Sequence, residues 1–103
     1  MLLVIDTSRS TTMELKEILD RTADRIVADG TRAESLALRV MEAAARDLCP
    51  GAAAALIDWN GSEIARLRAF GIVHGVLLRD LPATTQTQLA VQLAGASVHE
   101  LAA

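Results

Sequence analysis

Aromatic side chains are nearly missing from this chain. Trp59 and Phe70 are the only two, and there is no tyrosine. Alanine supplies much of the apolar content instead. Small side chains let elements approach closely but bury little area each. At roughly 25 cal/mol per Å² of apolar surface, an alanine-rich core is thinner than one built from leucine and phenylalanine. The shortfall predicts burial against a partner, with a homodimer as the expected form. Cysteine is limited to Cys49. That excludes an intrachain disulfide framework and fits a reducing compartment, so the expected location is the cytoplasm. Positive charge is not in excess: 10 Lys and Arg face 13 Asp and Glu, for a net charge of −3. An overall basic footprint for nucleic acid is therefore missing. Glycine numbers only 6, scattered as stops and turns, so no glycine-rich phosphate loop exists. No apolar run approaches the roughly 20 residues that span a bilayer. The stretch from Phe70 to Leu78 is interrupted by Gly71, His74 and Gly75. The start, Met1 to Asp6, lacks the basic region of a signal peptide, and its apolar run is too short for one.

What remains is a globular composition. Hydrophobic residues make up 51% and charged residues 22%, enough apolar content for one core within a single domain over 1–103. Leu2-Leu3-Val4-Ile5 reads as a short buried strand. Thr11 and Glu14 form a capping box ahead of Leu15, Ile18, Leu19, Thr22 and Ile26, which recur at helical spacing. Gly30 is placed to stop that helix in αL geometry. The pattern repeats with Thr31 and Glu34, then Leu38, Met41, Ala45 and Leu48, with Cys49-Pro50-Gly51 as the next stop.

The pattern then changes. Ala52 to Trp59 is mostly apolar and runs into Asn60-Gly61, a strong hairpin signal. Beyond it Ala65, Leu67 and Ala69 alternate with Arg66, Arg68 and Phe70, as in a half-solvated strand. Helix from Ser62 to Phe70 is the rival, because Ile64, Leu67 and Phe70 also fit helical spacing. Ile72 to Leu78 reads as a further strand. Leu89, Ala90, Leu93 and Ala94 mark a short helix ending at Gly95, and Ala96 to Leu101 a last strand. The fold expected is α+β: a small antiparallel sheet flanked by two capped N-terminal helices and a shorter C-terminal helix.

Candidate chemistry is sparse, and no catalytic set can be assembled. Asp58 and Trp59 form a candidate recognition spot, since tryptophan offers both area and a donor. His74, within an apolar run, is a candidate ligand-binding group or a hydrogen-bonded structural histidine. Cys49, without a partner base, reads as a small hydrophobe rather than a nucleophile. Arg66, Arg68 and Arg79 are candidates for phosphate contact, or a solvated face.

Three resemblances follow from these residues. Asp6-Thr7-Ser8-Arg9-Ser10 after the first strand resembles the D-x-S-x-S segment of von Willebrand factor A-type domains. That implies Asp6, Ser8 and Ser10 around a magnesium ion, whose hard charge suits oxygen ligands. The bland reading is a polar turn that satisfies its own amides. Residues 62–81, with Ser62-Glu63-Ile64-Ala65 and Gly71-Ile72, resemble a helix-turn-helix, although six residues separate Ala65 from Gly71 where that motif has four. Thr31 to Leu48, then Ala53 to Gly61, then Ala69-Phe70-Gly71-Ile72 are similar in order to a GAF-type or profilin-like sensory domain. That implies a small regulatory module and assigns no chromophore or nucleotide ligand to any residue.

The function expected is a non-catalytic regulatory or interaction module, dimeric, binding a protein partner or a small ligand and requiring no cofactor. The alternatives are a DNA-binding regulator acting through 62–81, and a small enzyme using a divalent metal near Asp6.

Overall fold

The computed structural model describes the backbone of residues 14–102 and the side chains of residues 14–96. Helix α1 runs Leu15–Asp29, a 3₁₀ turn Thr31–Glu34, α2 Ser35–Ala45, α3 Pro50–Leu56, α4 Glu63–Asp80 and α5 Ala83–Ala102. No strand occurs among the described residues. The expected antiparallel sheet, and with it the α/β architecture implied by the GAF-like and profilin-like resemblance, is overturned.

The first helix follows its periodicity. Leu15, Ile18, Leu19, Thr22 and Ile26 are the buried stripe of α1, and the Thr22 hydroxyl donates to the Ile18 carbonyl at 3.0 Å. Glu14, not Thr11, stands at the N-cap, and the Glu17 carboxylate accepts from the Glu14 amide at 3.4 Å. Thr11 and the expected strand at 2–5 lie outside the described residues. Gly30 ends α1 with φ +93° and ψ 159°. This is not the αL geometry expected but an extended, positive-φ conformation that is essentially reserved for glycine.

The second capping box does not form. Thr31 opens a 3₁₀ turn and its amide finds Glu63 instead, while Glu34 sits 3.2 Å from Arg25 of α1. Ala37, Leu38, Met41 and Ala45 then make the buried stripe of α2. The helix stops at Ala45, so Leu48 is left 42% exposed rather than extending the stripe.

Cys49-Pro50-Gly51 separates α2 from α3, and it also starts α3. Pro50 occupies the first helical turn, where its fixed φ is preset for helix and its missing amide costs nothing. The alanines that follow favour helix over strand. Ala53 and Leu56 face the core.

Asn60-Gly61 is the point on which the expected sheet depended. A two-residue type I′ hairpin needs positive φ at both residues. Among the described residues only Gly30 has positive φ. The segment is instead a helix-to-helix turn. The Gly61 amide donates to the Asp58 carbonyl at 3.0 Å and the Asn60 amide to Asp58 Oδ1 at 3.1 Å. A Cβ on Gly61 would lie 3.3 Å from that carbonyl oxygen, so the turn suits glycine by close approach rather than by dihedral. Ser62 then caps α4, its Oγ accepting from the Ala65 amide at 3.0 Å.

The two supposed strands at 65–70 and 72–78 are one helix. Arg66, Ala69, Phe70, Val73, Val76 and Leu77 form its buried stripe. The helical rival is therefore right in type, and Leu67 and Phe70 do face the core, but Ile64 points outward at 62% exposure. Leu81 is extended, as the residue before Pro82 must be. Helix α5 continues through Gly95, so neither the expected stop there nor the strand at 96–101 exists.

Helix α4 packs on α3, α2 and α1, and α5 packs on α2 and α1. Leu19, Ile26, Leu38, Met41, Leu56, Leu77 and Leu93 are fully buried between them. Ala37, Ala45, Ala53, Ala69 and Ala90 complete the core. The alanines set close approach, and the larger leucine, isoleucine and methionine side chains fill the space between the helices.

Candidate functional site

The polar interior is concentrated at the start of α4. Arg66 is only 4% exposed. A guanidinium in that position must be fully paired to be tolerated. Its Nε donates to Thr31 Oγ1 at 2.8 Å, Nη1 to the carbonyls of Asp58 (2.9 Å) and Gly61 (2.7 Å), and Nη2 to Glu63 Oε1 at 3.1 Å. Thr31 completes the circuit. Its hydroxyl donates to Glu63 Oε1 at 2.6 Å and its amide to Glu63 Oε2 at 2.9 Å. The Thr31 hydroxyl above all, then its amide, hold the Glu63 carboxyl below the ordinary carboxylate range, and Arg66 adds to the effect. The junction thus ties the α1–α2 connection and the 58–61 turn to one end of α4. Every one of these contacts is internal, so the cluster is an anchor.

Trp59 lies over this anchor. Its ring centroid is 5.2 Å from the Arg66 guanidinium and 5.5 Å from that of Arg32, within cation–π range. Arg32 also donates to the Trp59 carbonyl at 2.7 Å. The Asp58 side chain is occupied with the Asn60 amide. Asp58 and Trp59 are therefore brought to the same place as Arg66.

His74 belongs elsewhere. It tilts against Phe70 at 5.9 Å between ring centroids, and its Nε2 lies 3.0 Å from Asp20 Oδ1 across the α1–α4 interface. Lys16 donates to the other oxygen of Asp20 at 2.7 Å. Lys16 first, and His74 second, hold the Asp20 carboxyl below its ordinary range. The structure does not join His74 to Trp59 but bonds it to Asp20.

The three arginines also part company. Arg66 faces inward, Arg79 pairs with its neighbour Asp80 at 3.1 Å, and Arg68 stands alone on the outer surface, with no bonded partner among the described residues. Residues 62–81 contain no turn between two helices, so the helix-turn-helix arrangement is absent. Asp6, Ser8 and Ser10 lie outside the described residues, as does the side chain of His99. Among the described residues no group of three His, Cys, Asp or Glu side chains converges on a metal position. Cys49 is a half-buried free thiol packed against the core. No described helix is long and apolar enough to cross a membrane.

Two of the shallow grooves on the surface lie among the described residues. One, of about 310 Å³, is lined by Leu15, Lys16, Leu78, Ala83 and Gln86. The other, of about 240 Å³, lies between α2 and α5 at Val40, Ala44, Thr85 and Leu89. Glu14 and Thr87 complete the lining of the first, and the second is lined by no titratable side chain.

The outer side of α4 is the other distinctive surface. Ile64, Arg68, Gly71, Ile72, Gly75 and Arg79 recur at helical spacing and are all exposed. Ile64 and Ile72 are 62% and 54% exposed. A Cβ added at Gly71 or Gly75 would meet nothing within 4 Å. Sequence reading assigned part of this stripe to strands and so did not see it as one face. The signal that reveals it is the recurrence of Ile64, Arg68, Gly71, Ile72 and Gly75 at helical intervals.

Comparison with protein families, curated proteins and solved structures gives no match to this chain.

Proposed function

We propose that this chain is a non-catalytic helical interaction module that docks against a protein surface through the outer side of α4. A second copy of the chain is the first partner to test. The observation carrying this reading is the pairing, on one helix face, of exposed Ile64 and Ile72 with Gly71 and Gly75. Exposed isoleucines offer apolar area to a partner, and glycines let a partner backbone approach closely.

The test is the mass of the full chain by multi-angle light scattering over a wide range of concentration, beside the Ile64→Glu/Ile72→Glu double variant. Mass rising with concentration in the parent, and a monomer in a variant of unchanged helicity, support the reading. A parent that stays monomeric throughout removes self-docking. Association that survives in the double variant removes α4 as its surface.

A further inference from the structure

We draw no further inference here: the strongest candidate, the groove between the start of α1 and the α4–α5 turn, has its Lys16 and Gln86 side chains already committed to Asp20 and to the carbonyls of Leu78 and Leu81, and nothing in the structure shows what covers it.

Discussion

One helix carries two opposite surfaces. On its inward side α4 presents Arg66, which joins Thr31, Glu63 and two carbonyls of the 58–61 turn. On its outward side the same helix presents Ile64, Arg68, Gly71, Ile72 and Gly75 to solvent. The inward side satisfies every polar group it buries. The outward side leaves apolar area uncovered and includes two glycines, each about 1 kcal/mol less favourable than alanine in a helix interior. Stability alone favours the first arrangement and disfavours the second. Residues that stabilise this fold and residues available to a partner are therefore separable on one element, and substitutions on the two sides should have different consequences.

Arg66→Met should have the largest effect. It leaves the Gly61 carbonyl without its donor, takes one of two donors from the Asp58 carbonyl, and leaves Glu63 without its cation. Glu63 is 40% exposed, so the cost falls mainly on the buried groups left unpaired, about 1–3 kcal/mol for each. The midpoint of urea unfolding measures it. A loss under about 1 kcal/mol would show that the junction is not an anchor, since ordinary surface changes fall within about 0.5 kcal/mol.

Glu63→Gln should follow, at about 1–3 kcal/mol, because the Thr31 amide and the Arg66 guanidinium lose a charged acceptor. This variant also tests the acid limb. The folded-state pKa of Glu63 is depressed, so its contribution is full above the unfolded-state pKa and is lost as pH falls through the folded value. Urea midpoints at neutral pH and below the glutamate range should therefore differ less in Glu63→Gln than in the parent. An equal difference would remove Glu63 from the acid response.

Ser62→Ala removes the cap of α4 and should cost about 1 kcal/mol, read from the same unfolding curves. Gly71→Ala and Gly75→Ala should act in the opposite direction. Each should stabilise by about 0.5–1 kcal/mol, because space for the added methyl is open at both positions. A destabilising outcome at either would mean that the outer side is covered. The Ile64→Glu/Ile72→Glu variant should change the stability of the monomer least, within about 0.5 kcal/mol per site where the parent too is monomeric, while removing association at higher concentration.

The N-terminal half of the described fold was legible from periodicity. The stripe from Leu15 to Ile26 is the buried face of α1 as the spacing predicts, and Leu38, Met41 and Ala45 serve α2. The rest was misread at Asn60-Gly61. That dipeptide suits a hairpin, but Ser62 behind it is a helix cap and Pro50 ahead of Ala52–Leu56 is a helix start. Read together, the three make a short helix, a turn and a long helix. Gly71, taken as a break between strands, sits on the outer face of α4, where it interrupts no packing. The site was legible in fragments. Trp59, Asp58 and Arg66 were each singled out and do meet. Thr31 and Glu63, which bind them together, were missed because Thr31 was assigned to a local cap, and its true partner is 32 residues away.

The position of Trp59 has a practical consequence. As the only tryptophan in the chain, its indole is a single-site optical reporter. It is placed against two guanidinium groups at the turn that α4 locks shut. Its emission follows the closure of that turn rather than the amount of helix. Comparing fluorescence with far-ultraviolet dichroism during unfolding would show whether the 58–61 turn opens with the bundle or ahead of it.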